Sequence, residues 1–218
     1  MKILSQLPKK ISERWWELRL GIDTRGIVEA ERTKLPDDGV EYAPTPYETF
    51  FHAMKSVPAD LLAGTFVDYG AGKGRVLVLA TRYYNFRRIV GVEISAELCR
   101  LAELNLKTAA ASRAQIICCD AALYHPPEDA KVFFLFNPFF GQTMKMVVQN
   151  IRTSILHNPR RVAVVVCGAR NFNAAIAGQD WLIEKDSGKV TFSSPRWHVF
   201  LTRAEFEHAP SDLHSKTA

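Results

Sequence analysis

The stretch that decides the fold is Phe66-Val67-Asp68-Tyr69-Gly70-Ala71-Gly72-Lys73-Gly74-Arg75. A short run of strand-forming residues from Thr65 to Tyr69 breaks at Gly70, glycines alternate at 70, 72 and 74, and a helical pattern starts at once. Glycine lets the chain turn sharply and lets another group approach the main chain with no Cβ in the way. Strand, glycine turn and helix in this order open a βαβ unit. In open α/β sheets the carboxyl end of such a strand is where ligands sit.

The pattern continues in the same rhythm. The predicted helix over Lys73 to Tyr84 carries Val76, Leu77, Leu79 and Ala80 on an apolar face. Arg88 to Ile94 reads as a second strand, and Ser95 as the N-cap of a helix reaching about Thr108. Gln115 to Cys119 and Lys131 to Phe136 are further strands, Gly141 to Leu156 a helix, and Arg161 to Cys167 a fifth strand. After a short helical piece, Phe172 to Ala177, no crossover-length helix follows. Trp181–Lys185, a turn at Asp186-Ser187-Gly188, Val190–Phe192 and Arg196–Thr202 then predict an antiparallel hairpin at the sheet edge. The fold expected is α/β: a Rossmann-like, doubly wound, seven-stranded sheet, mostly parallel, with a C-terminal antiparallel hairpin.

Residues 1–62 lack this rhythm and read as an N-terminal helical and extended cap, with helices over Ile11–Leu20 and Thr45–Val57. Residues 63–206 form the ligand-binding domain and 207–218 a frayed tail. In the first helix Trp15 and Trp16 dock on the domain while its charges face solvent. The 218 residues are 47% hydrophobic and 23% charged, which excludes a disordered chain. The net charge of +5 is too small to establish a nucleic-acid binder by itself. Four cysteines without CxxC spacing fit a reducing compartment, with Cys118 and Cys119 buried as small apolar residues. No signal-peptide core or membrane-length apolar run occurs, so a cytoplasmic location is expected.

The ligand is narrowed by chemistry. A dinucleotide fingerprint needs a third glycine where Arg75 stands, and the Walker A pattern is absent. Asp68, two residues before the first glycine, suits a ligand with an ammonium group. Glu93 ends the second strand 19 residues after Gly74, where a carboxylate can accept both hydroxyls of a ribose. Lys73 and Arg75 stand in the first helical turn, where the macrodipole disfavours cations. A nearby anion (Asp68 or a ligand carboxylate) or simple solvation would offset this.

These residues resemble class I S-adenosyl-L-methionine-dependent methyltransferases, most clearly over Thr65 to Phe140. The resemblance implies that Asp68, Tyr69, Gly70, Gly72 and Gly74 hold the methionine portion of the cofactor, Glu93 its ribose, and Asp120 its adenine edge. Asn137-Pro138-Phe139 resembles the Asn/Asp-Pro-Pro-aromatic motif of methyltransferases acting on nitrogen. It implies that Asn137 meets both cofactor and acceptor and that Phe139 or Phe140 walls the site; Phe139 replaces the second proline. Tyr42 to Tyr47 is similar to N-terminal segments that cover the cofactor in non-SET lysine methyltransferases, which implies a cofactor contact for Tyr47. The implied activity is methyl transfer to nitrogen without a metal, with a protein amine favoured as acceptor and RNA or a small molecule as alternatives. A SAM-binding module without catalysis is the other reading. For the acceptor's proton, Tyr69, His125 and His198 are the candidates.

Overall fold

The computed structural model describes residues 9–26, 37–168 and 170–207. Thirteen helices and strands follow one another among them. They are α1 (Lys9–Leu20), α2 (Tyr47–Met54), β1 (Thr65–Tyr69), α3 (Arg75–Tyr83), β2 (Arg88–Glu93), α4 (Ala96–Thr108) and β3 (Ala114–Cys118), then β4 (Ala130–Phe136), α5 (Gly141–His157), β5 (Ala163–Cys167), α6 (Arg170–Ile176), β6 (Leu182–Gly188) and β7 (Trp197–Thr202). The predicted tail, apart from Glu207, lies outside the described residues, as does the stretch 27–36.

The strands form one seven-stranded sheet in the order β3-β2-β1-β4-β5-β7-β6. The first five are parallel, and β7 and β6 run antiparallel at the far edge. Strand order reverses between β1 and β4, so the crevice over their carboxyl ends is the topological switch point. β1 and β5 are buried throughout and β4 at all but Lys131 and Phe136, and alternate residues feed two cores. Phe66, Ile89, Phe134 and Val165 face one core with α1, α2 and α3; Val67, Val90, Phe133 and Val164 face the other with α5 and α6.

The seven-stranded, mostly parallel sheet matches the sequence expectation. The hairpin does not match in detail. Asp186-Ser187-Gly188 belongs to β6 instead of turning, and Val190–Phe192 is part of the connection to β7. Pairing overrides the local turn chemistry: Gly188 lies opposite Trp197, and a Cβ there would sit 2.7 Å from the indole ring. Cys118 is exposed and Cys119 half-buried, because β3 is an edge strand covered less fully than its neighbours. Among the described residues no helix is long and apolar enough to cross a membrane.

The N-terminal helices complete the first core. Trp16 is buried and stacks on Tyr47 at 5.1 Å, whereas Trp15 stays partly exposed with the Arg19 guanidinium over its ring. Of the two tryptophans expected to dock, one does.

Candidate active site

The glycine turn is shaped by what packs on it. Gly70, Gly72 and Gly74 all have positive φ, at 73°, 55° and 81°. A Cβ on Gly70 would sit 2.3 Å from Pro138 Cβ, one on Gly72 2.4 Å from a Tyr42 ring carbon, and one on Gly74 3.2 Å from Ala102 Cβ. The room left by the missing side chains is thus filled by the chain itself. Gly70 and Gly72 still present main chain to a cavity of about 930 Å³, while Gly74 packs against α4 and does not border it.

Two carboxylates underlie this cavity. Glu93 lines it and accepts three main-chain N–H groups at 2.9 Å each, from Gly72, Ile94 and Ser95. Burial raises its pKa, and those three hydrogen bonds oppose the rise. Asp68, only 3% exposed, lies beneath the turn without bordering the cavity. No described residue donates a hydrogen bond to it; burial first, then the Glu93 charge, pushes its pKa well up. A buried carboxylate without a donor is costly unless a cation approaches. Glu93 presents its carboxylate at this end of the cavity, and a cationic ligand would favour the charged form of Asp68 beneath it.

The remaining predicted residues divide. Asp120 lines the cavity and caps the short helical turn after β3, its Oδ1 accepting the Ala122 N–H at 2.8 Å. Asn137, Pro138 and Phe139 line it at the end of β4. Asn137 has φ of 43°, a left-handed conformation that asparagine tolerates better than most side chains. Its N–H donates to the Cys167 carbonyl at 3.0 Å, fixing the motif to β5. Phe139 is buried and bridges Gly39, while Phe140 is 41% exposed and lies outside the lining.

Tyr47 and Tyr69 do not border the cavity. The Tyr47 hydroxyl donates to Glu17 Oε1 at 2.9 Å, and its ring lies beneath the Arg75 guanidinium at 4.2 Å. Tyr69 points into the second core, stacked on Phe133, with a buried hydroxyl that has no partner among the described residues. It is poorly placed to take a proton. His125 is exposed away from the lining, and only His198 of the proton candidates reaches it.

The cations at the start of α3 find neither solvent nor Asp68. Arg75 is paired with Glu13 Oε2 at 2.8 Å and Glu17 Oε1 at 2.9 Å, both from α1. Lys73 donates to the Arg25 carbonyl at 2.6 Å, with its ammonium 5.2 Å from the Tyr42 ring centroid. Glu13 and Glu17 lie in a helix whose sequence reads as basic and solvated, so nothing local marks them as partners of Arg75. Asp38 likewise carries no signal in the sequence; its Oδ2 accepts the Thr143 N–H at 2.8 Å and caps α5, while its carbonyl accepts the Phe140 N–H at 3.0 Å. Asp38 to Ala43 thereby forms one wall of the cavity.

No family model matches the chain, and no curated protein matches it. Solved structures do. An RNA methyltransferase from Salinibacter ruber, in complex with S-adenosyl-L-homocysteine, aligns with a TM-score of 0.54 at 21% identity, over 78% of this chain and 99% of its own. A human methyltransferase 10 domain containing protein aligns with a TM-score of 0.61 at 12% identity, over 89% and 95%. The ribosomal protein L11 methylase of Lactobacillus delbrueckii subsp. bulgaricus aligns at 0.55 and 11% identity, over 74% and 78%. With its strand order, its switch-point cavity and these likenesses, the chain has the fold of class I S-adenosyl-L-methionine-dependent methyltransferases.

Proposed function

We propose that this protein is an S-adenosyl-L-methionine-dependent methyltransferase acting on a nitrogen acceptor. One observation carries the reading: the ends of β1, β2 and β4, far apart in sequence, bring Gly70 and Gly72, Glu93, and Asn137 to one cavity, with the buried Asp68 beneath the turn. The cofactor supplies a methyl group on a positively charged sulfur, open to in-line displacement. Asp68, which lacks a donor, suits the cofactor's ammonium end; Glu93, fixed by three amides, suits the ribose hydroxyls; Asp120 suits the adenine edge. Asn137 orients the acceptor nitrogen through its side-chain oxygen, and Pro138 and Phe139 exclude water from the reacting centre. A protein lysine or another amine satisfies that chemistry equally. The four cysteines are free thiols, in keeping with a reducing, cytoplasmic setting.

Titration with S-adenosylhomocysteine by calorimetry tests the cofactor, and absence of heat at millimolar ligand refutes its use. Labelled-methyl incorporation into a cell extract, divided by protease and nuclease digestion, tests the transfer. Incorporation that disappears in Asn137→Ala while S-adenosylhomocysteine still binds supports the role of Asn137. A parent protein that binds the compound and transfers nothing is an inert binding module.

A further inference from the structure

The cavity extends past Asn137 toward the antiparallel edge of the sheet. Its far wall is built by Asn173 of α6, by Lys189, Ser194 and Arg196 of the β6–β7 connection, and by His198 of β7. Hydrogen bonds place this wall relative to the reacting centre: Asn137 N–H donates to the Cys167 carbonyl, and the next residue of that segment, Gly168, donates to the Arg196 carbonyl at 2.9 Å. Arg196 therefore lies two strand positions from Asn137, about 10 Å at the usual inter-strand spacing.

Two cations stand there, Lys189 and Arg196, and both are exposed. The nearby acid is engaged: Glu184 Oε1 lies 2.9 Å from His198 Nδ1, and that bond, ahead of the Arg196 charge, lowers the Glu184 pKa. On the facing wall Asp38 is committed to the Thr143 amide, leaving Glu41 beside Tyr42 as the exposed acid of that side. No described residue accepts a hydrogen bond from the Arg196 guanidinium. The turn between the cations is fixed by Ser194 Oγ, which accepts the N–H groups of Val190 at 3.0 Å and Thr191 at 2.8 Å. At its tip Phe192 is 97% exposed, with the Lys189 ammonium 5.6 Å from its ring centroid.

We infer that this wall is a binding site for single-stranded nucleic acid, and that the acceptor nitrogen belongs to a base of that strand. The inference rests on the methyltransferase reading for the transfer, but the binding surface stands without it. Lys189 and Arg196 take a phosphate at the distance that separates a base edge from the sugar-phosphate chain, and Phe192 stacks an adjoining base. Exposed aromatic rings interleaved with cations are the physical basis of sequence-tolerant single-strand binding. A lysine-bearing peptide would bring its ammonium toward two like charges.

The test is fluorescence anisotropy with a short, labelled, mixed-sequence single-stranded oligonucleotide, against the parent protein, Lys189→Ala/Arg196→Ala and Phe192→Ala. Phe192→Ala is expected to weaken binding by about tenfold. The double variant is expected to reduce the slope of log affinity against log salt by roughly 0.7, for the one lost single-strand phosphate contact. S-adenosylhomocysteine affinity and thermal melting, unchanged in all variants, show that the fold and the cofactor end are intact. Failure of the parent to bind the oligonucleotide at low salt, equal affinity and slope in the variants, or tighter binding of a lysine-rich peptide overturns the inference. So does competition by a nucleoside monophosphate as effective as by the strand. Loss of S-adenosylhomocysteine binding in the parent would instead remove the proposed function while leaving the oligonucleotide result to be read independently.

Discussion

The Arg75 guanidinium and the Glu17 carboxylate meet at 2.9 Å with 3% and 4% of their side chains exposed. A cation at the start of a helix opposes the macrodipole, and here α1 supplies the compensating charge. Glu17 is fully used: it also accepts the Thr24 N–H at 2.8 Å, the Thr24 hydroxyl at 2.6 Å and the Tyr47 hydroxyl at 2.9 Å. Arg75 in turn donates to Thr24 Oγ1 at 2.7 Å and the Thr45 carbonyl at 2.9 Å. Such a pair adds little over an apolar replacement, but removing one partner strands the other.

Glu17→Ala should therefore destabilise the protein by about 3–5 kcal/mol, the range for breaking a buried pair. Urea denaturation measures it. A loss under about 1 kcal/mol would show that Glu13 and water satisfy Arg75 without Glu17.

Asp68→Asn should raise the melting temperature of the ligand-free protein while weakening S-adenosylhomocysteine binding. The folded pKa of Asp68 is raised by burial and by Glu93, so between its ordinary value of 3.8 and that higher value the folded state holds the extra proton. Stability from this group is full below the unfolded pKa and is lost as pH rises through the folded one. Asp38 and Asp129 are shifted down, Asp38 by its bonds to Thr143, and Asp129 because desolvation, its largest single influence, is outweighed by the bonds to Thr65 and Arg87 together with the Arg88 and Arg87 charges. Their stabilisation is present above the ordinary carboxylate range and fades as pH falls through the lowered values. The gap between variant and parent should be widest near neutrality and close toward about pH 4 in a series of thermal melts. A gap independent of pH would mean that Asp68 is not the group responsible.

How much of this was legible in the sequence depends on the range of the interaction. The turn from Asp68 to Gly74 and the cap at Ser95, whose Oγ accepts the Leu98 N–H at 3.4 Å, are local and could be read directly. The pairing of Glu17 with Arg75 spans 58 residues, and no pattern in either helix announces it. The resemblance implies a cofactor contact for Tyr47, yet the charge beside it in space is Arg75. The hairpin turn was misplaced because Asp186-Ser187-Gly188 has turn chemistry, and only the Trp197 ring opposite Gly188 explains its strand conformation.

Glu93→Gln should still fold, its one oxygen accepting Ile94 and Ser95 while the Gly72 N–H is left facing an amide nitrogen, and should weaken S-adenosylhomocysteine binding by about tenfold or more. Glu93→Ala should lower stability further, because the Gly72, Ile94 and Ser95 amides all lose their acceptor. Calorimetry and urea melts on both variants separate the two roles. Unchanged affinity in Glu93→Gln would remove the carboxylate from the ribose site.

Gly72→Ala should cost about 1–2 kcal/mol for its left-handed backbone and more for the clash with Tyr42. Adding Tyr42→Ala should return the clash portion and leave the backbone portion, a non-additivity that a double-mutant cycle measures. Strict additivity would show that the tyrosine ring moves aside without penalty.

The salt link between α1 and α3 also bears on any attempt to dissect this protein. A shortened chain beginning at residue 63 would keep every strand of the sheet and the whole glycine turn. It would also leave the Arg75 head group without its anions, in a bed fitted to Trp16 and Tyr47, and would uncover the apolar flank of the helix behind it. Such a fragment is expected to clump or melt rather than serve as a minimal catalyst, so the first helix has to travel with the sheet in every truncation.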